Sequence, residues 1–189
     1  MNSRAIWGTV FAAVFVLSML MPSAFAGGHL ALSSASADIT GERLKADITA
    51  QISIPLDGSA GAFGYAVLTD GGSGALDNVL VLVTHLGIDD SEHEDPVSGF
   101  HTHVLDLMAP SNKCKKHTLE VDLGGSVANS AFDPDYHFNI SGNDINLRNI
   151  PTADLGDPSE VIGVASFTVT PVFKGGNLSN LCIDVIQLV

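Results

Sequence analysis

Cationic side chains are scarce: eight Lys and Arg stand against 21 Asp and Glu, for a net charge of -13. The first 26 residues hold one base, Arg4, and no acid, so the remainder is one charge more negative still. Such a field argues against nucleic acid and anionic membranes as partners, because both would be repelled. Cysteine is nearly absent, with 2 residues and no C-x-x-C spacing, which excludes a zinc ribbon. The only Trp is Trp7. No G-x-S-x-G elbow occurs, and Gly71-Gly72-Ser73-Gly74 is not followed by the Lys-Ser/Thr of a phosphate loop, so neither feature supports a hydrolase or a nucleotide site. After residue 26 no apolar stretch is long enough to span a bilayer.

What is present at the N-terminus reads as an export signal. Arg4 supplies the positive end, Ala5 to Leu20 is almost wholly apolar, and Pro22-Ser23-Ala24-Phe25-Ala26 offers a small-x-small cleavage site before Gly27. The expectation is a signal peptide over 1–26, a flexible lead-in over 27–41 and a single β domain over 42–189, secreted, periplasmic or on the cell surface. The competing reading is an uncleaved anchor, since about 17 residues is the lower limit for a span. Export would place Cys114 and Cys182 where thiols oxidise, and an even pair there is most simply one disulfide. The alternative, metal-binding or catalytic thiols, lacks a partner motif.

The rest of the chain reads as strands and turns. Lys45 to Pro55, Gly61 to Thr69, Leu76 to Leu86, Ser98 to Leu107, His117 to Val127, Tyr136 to Ile140, Val161 to Val172 and Leu181 to Val189 are rich in β-branched or aromatic residues. Val164 to Thr170 alternates apolar and polar, as a strand with one face on a core must. Asp70 to Gly74, Gly124-Gly125, Ser141 to Asp144 and Lys174 to Asn177 carry turn chemistry, and no helical stripe interrupts them. About eight short strands in one exported domain predict an all-β fold, an antiparallel Greek-key β-barrel or β-sandwich.

Any chemistry lies in the histidines, His29, His85, His93, His101, His103, His117 and His137. His101 and His103 stand two apart in a predicted strand, so both side chains leave one face and can converge on one ion. Neutral imidazole suits copper or zinc. Two ligands do not make a tight site, and His85, His117 and His137 are the candidates to complete it. The bland reading, a polar surface feature of a strand, stays open.

Gly99-Phe100-His101-Thr102-His103, followed by Cys114 and by Asn177 to Ile186 around Cys182, resembles the copper/zinc superoxide dismutases. The resemblance implies a Greek-key barrel, His101 and His103 as copper ligands and a Cys114–Cys182 bridge. His137-Phe138-Asn139 resembles the family's H-F-N, whose His bridges copper and zinc. Leu76 to Val83 is similar to a run in the CHRD domain, an exported β module with an H-x-H strand. The likeness covers residues 61 to 189. Two departures matter: no His follows His137, so the family's four-histidine copper site is incomplete, and Ser179 stands where the family carries a substrate-guiding Arg. The first reading is therefore a non-catalytic, metal-binding or interaction domain. A divergent dismutase using His85, His117 or His137 is the second, and a structural surface protein without metal the third.

Two acidic stretches remain. Asp89 to Asp95, with His93, reads as a solvated loop before the histidine strand, against a weak cation site that would lack a calcium loop's glycine. Asp133-Pro134-Asp135-Tyr136-His137 is first a turn signal. Asn139 and Asn177 match the glycosylation acceptor pattern.

Overall fold

The computed structural model describes residues 28–85, 88, 95 and 98–189. The segment read as an export signal, most of the Asp89 to Asp95 run and His93 lie outside them. Eleven strands follow in chain order: β1 Leu32–Thr40, β2 Arg43–Ala50, β3 Phe63–Thr69, β4 Val79–Thr84, β5 Phe100–Leu105, β6 Leu107–Met108, β7 Leu119–Val121, β8 Phe138–Ser141, β9 Asp144–Pro151, β10 Val161–Lys174 and β11 Asn177–Leu188. A short helix, α1 Leu123–Ala128, follows β7. The protein is thus nearly all β, built as two antiparallel sheets, one of them a curled half-barrel.

One sheet has the order β1-β2-β9-β8 and the other β5-β4-β3-β10-β11-β7-β6. Alternation builds the space between them. Leu44, Ala46 and Ile48 of β2, with Ile145 and Leu147 of β9, meet Phe63, Tyr65, Leu80, Leu82, Phe100 and Val104 from one face of the larger sheet. The opposite face of that sheet carries its own core, with Ala66, Val79, Val81, Val83, Leu105, Ala165, Phe167 and Ile183 turned into the curl. Strands buried on both faces lose the apolar–polar alternation, and β3, β4 and β5 are indeed buried at every position.

The curl closes through one residue. β5 and β6 stand at opposite ends of the sheet order yet are separated along the chain by Asp106 alone. The Asp106 carboxylate accepts the Asn78 N–H at 2.9 Å, its own N–H donates to Ser126 Oγ at 2.9 Å, and its carbonyl accepts the Asp122 N–H at 2.9 Å. Strand β3, β4 and α1 neighbours are thereby tied to the bend. At Gly64 of β3 a Cβ would come within 2.8 Å of Phe167 Cζ and 2.5 Å of the Leu82 carbonyl, so only glycine lets the Phe167 ring lie over that strand.

Three expectations need correction. The lead-in over 27–41 contains β1, whose Ala35, Ala37 and Ile39 pack on the inter-sheet core while Ser36, Asp38 and Thr40 face out. Its side chains are small, so it lacks the bulk that marks a strand in sequence. β9 was not foreseen, although Ile145 and Leu147 alternate inward. The strand expected over His117 to Val127 stops at Val121, because Asp122 caps a helix by accepting the Gly125 N–H at 3.1 Å. Gly124-Gly125 therefore lies within α1 rather than in a turn.

Cys114 and Cys182 are bonded, with Cα atoms 5.3 Å apart, and both are wholly buried. The disulfide points to a non-cytoplasmic location. Among the described residues no helix is long and apolar enough to cross a membrane. Beside the bridge, Glu120 pairs with Cys182 across β7 and β11 and is fully buried. Its carboxylate accepts the Ser111 N–H at 2.7 Å and a hydrogen bond from Asn180 Nδ2. Desolvation pushes its pKa up, but these bonds and the charge of Lys113 together outweigh it and hold the carboxyl below its ordinary value.

The bridge closes a 68-residue loop, worth roughly 4 kcal/mol on the chain-entropy model. Replacing both cysteines by serine should lower the unfolding free energy by about that amount in denaturant titration. Glu120 contributes stability that is present above its unfolded pKa and lost as pH falls through its lowered folded value. Acid titration of stability should therefore flatten in Glu120→Gln relative to the native chain; equal acid slopes would show that the Glu120 interactions add nothing.

Candidate metal centre

The β4 and β5 ladder builds the site. Val83 pairs with His101 and Val81 with His103, and odd-numbered residues of both strands face into the curl. His85 follows β4 with the same parity as Val83, so all three imidazoles enter one space. They are 6%, 1% and 4% exposed for His85, His101 and His103, which makes this a cluster within the core and not a polar surface feature.

His101 Nε2 lies 3.0 Å from His85 Nε2 and 2.9 Å from His103 Nε2. The His101 ring stands nearly perpendicular to both neighbours, while the His85 and His103 rings are almost parallel on either side, at 8°. Each ring thus points an edge nitrogen at the same small volume. His85, His101 and His103 form a buried group that could hold a metal ion.

Backbone carbonyls fix the protons. His101 Nδ1 is 3.0 Å from the Gly99 carbonyl, and His103 Nδ1 is 2.8 Å from the Phe132 carbonyl. A carbonyl can only accept, so each Nδ1 carries the hydrogen and donates it, and in the neutral rings each Nε2 then bears a lone pair. Two such lone pairs face each other at 2.9 Å in a buried place. That contact is repulsive unless a cation, metal ion or proton, lies between them. Ligating histidines are characteristically held this way, with the other ring nitrogen donating to a carbonyl or carboxylate.

The supports come from both sides of β5. Gly99 has φ 68, a left-handed conformation that glycine adopts without penalty and that turns its carbonyl beneath His101. Asp95 braces that turn, accepting the Gly99 N–H at 2.8 Å through its carbonyl and the Ser98 N–H at 2.7 Å through its carboxylate. The Phe132 carbonyl also accepts the Val104 N–H at 3.3 Å, and Thr102 Oγ1 donates to the Pro134 carbonyl at 2.6 Å. The stretch from Phe132 to Pro134 is therefore laced along β5. The Phe132 ring lies 5.1 Å from that of His103, and an Asp133 carboxylate oxygen is 3.9 Å from His103 Nδ1.

The remaining candidates lie elsewhere. His117 Nδ1 binds the Asp184 carboxylate at 2.8 Å beside β11, and His137 is exposed at the entry to β8. Neither joins the cluster, so His85 supplies the third imidazole that sequence left open among three residues. His29 packs edge-on against Phe63 at 4.6 Å, and burial lowers its pKa. In the Asp133 to His137 run, Tyr136 donates to the Asp154 carboxylate at 2.5 Å. Gly99 was visible within the motif, but nothing local marked Phe132 or Asp133 as partners of His103. Asn139 and Asn177 are both exposed.

Comparison with protein-family models, with curated proteins and with solved structures finds no match for this chain.

The two carbonyl contacts predict one tautomer. In long-range nitrogen–proton correlation spectra of metal-free protein at mildly alkaline pH, His101 and His103 should both appear as the Nδ1–H form; Nε2–H signals for either would contradict the arrangement.

Proposed function

We propose that the chain is an exported, disulfide-stapled β domain that binds one transition-metal ion, copper first, through the Nε2 atoms of His85, His101 and His103, in a binding and not a catalytic role. The observation that carries this reading is the meeting of three buried ring nitrogens, two of them with their protons committed to carbonyls. A cation at that point removes the lone-pair repulsion that the bare cluster otherwise retains. The acidic chain and Asp133, near His103, favour a positive charge there.

The spacing favours copper over zinc. At a metal–nitrogen distance of about 2.0–2.1 Å, a tetrahedral ion sets its ligands roughly 3.3–3.4 Å apart, whereas an approximately right-angled pair lies near 2.9 Å. The contacts to His101 are 2.9 and 3.0 Å, which suits the tetragonal preference of copper(II). The dismutase-like motif Gly99 to His103 supports the same metal. Against turnover stand the enclosure of all three rings and Ser179 in the place of a guiding Arg.

Metal analysis of the mature protein after copper loading and desalting should give one ion per chain. Copper should raise the melting temperature, and His101→Ala should abolish both the rise and stoichiometric retention. Electron paramagnetic resonance should report three nitrogen ligands in a tetragonal field. Retention of copper by His101→Ala would overturn the site. Rapid superoxide removal by the loaded protein would overturn the non-catalytic role in favour of a divergent dismutase.

A further inference from the structure

The face of the seven-stranded sheet that carries the histidines does not fill its own curl. A cavity of about 40 Å³ remains there, lined by Ala66, Val81, Leu105, Phe167, Ile183 and their apolar neighbours, with no polar side chain in its wall. One water molecule needs roughly 10–15 Å³ by this kind of measure, so the space holds about three such spheres. Size alone would admit water. Chemistry opposes it, because an ordered water needs two to four polar partners and this wall supplies none from its side chains, whereas apolar cavities stay dry and accept apolar guests such as xenon.

The wall is held open by the backbone and by small residues, not by slack packing. Phe167 is seated over Gly64, where a Cβ would collide with its ring, and it cannot settle lower because Val83 Cα is 3.0 Å from the same point. Ala66 and Ala165 face each other across β3 and β10, so two methyl groups stand where larger side chains would close the gap. The cavity also borders the histidines: Val81, in its wall, pairs directly with His103 across β4 and β5.

We propose that this cavity is a binding site for one small apolar molecule of the size of dioxygen, held inside the curl beside the histidine cluster. Its placement next to a metal rests on the copper reading above; its existence as a gas site does not. No bond is made or broken in the cavity, and the guest is held by dispersion and by exclusion from water.

The test uses the whole mature protein free of metal, with xenon as the probe. Crystals pressurised with xenon should show one atom between Val81, Leu105 and Ile183, and xenon-129 resonance in solution should show saturable binding. Under dioxygen pressure the methyl protons of Val81, Leu105 and Ile183 should relax faster than those of the inter-sheet core, such as Leu44 and Ile48. Ala66→Leu should fill the space and abolish both effects while copper stoichiometry stays at its native value; Ala165→Val, a smaller addition, should weaken them if Ala66→Leu does not fold. An empty or water-filled cavity under xenon, or binding unchanged in the filled variant, would overturn the proposal. Because the xenon measurement needs no metal, its failure leaves the copper reading standing, and failure of copper loading leaves the gas site standing.

Discussion

Everything chemical in this molecule depends on two hydrogen bonds from histidine to backbone. The Gly99 and Phe132 carbonyls take the Nδ1 protons of His101 and His103, and that leaves two Nε2 lone pairs aimed at each other 2.9 Å apart. In water the rings would rotate away. Here β5 is buried at every position, and neither ring can turn without breaking its bond to a carbonyl, at a cost of about 1–3 kcal/mol for the buried donor left behind. The fold therefore maintains an electrostatic conflict that only a cation relieves. The same reasoning separates this cluster from His117, whose Nδ1 meets a carboxylate and whose arrangement is complete as it stands.

The conflict is sustained because the sheet that carries it is covered on both sides. Odd residues of β4 and β5 face the curl and even residues face the second sheet, so Thr102 points away from its histidine neighbours and is fixed to the Pro134 carbonyl. A half-exposed sheet would let water solvate the imidazoles and dissolve the argument for an ion. Burial of His101 to 1% removes that escape, and it also strengthens any interaction with a bound charge, since the surroundings are apolar on the Val81 and Val83 side.

Local sequence carried the parity and little of the depth. That His101 and His103 share a face follows from a spacing of two, and the same parity through Val83 places His85 with them. Which of His85, His117 and His137 would join them depended on strand pairing, since β4 lies against β5 while β7 and β8 belong to other parts of the two sheets. Phe132 was beyond reach because its contribution is a carbonyl, which every residue possesses, delivered across 29 residues of chain by the lacing along β5. The strand composition of β3, β4 and β10 was legible from β-branched runs. β1 was not, because Ser and Ala fill it where it approaches the core, and in β9 the inward Ile145 and Leu147 are interrupted by the left-handed Asn149 before Ile150. The short helix escaped notice for a different reason: six residues with two glycines have poor intrinsic helicity, and it is the Asp122 cap and the Asp106 contacts that hold them.

The disulfide and the histidines lie at different places in the sheet, yet the closure of the curl connects them in few steps. Cys182 sits in β11, its bonded partner Cys114 anchors the loop that leads into β7, and β7 pairs with β6 through two residue pairs only. So short a pairing cannot by itself offset the entropy of bringing the ends of a seven-stranded sheet together. With the loop pinned by the bridge and by Glu120, β7 is already in place to receive β6, and β6 continues through Asp106 into the strand that holds His101 and His103. The bridge thus bears on the site through the bend at Asp106: it limits how far β5 can lift from β4, and so how far His103 can withdraw from His101. A sheet closed without that staple would have the same histidines on the same face but a weaker hold on the 2.9 Å separation that defines them as a site.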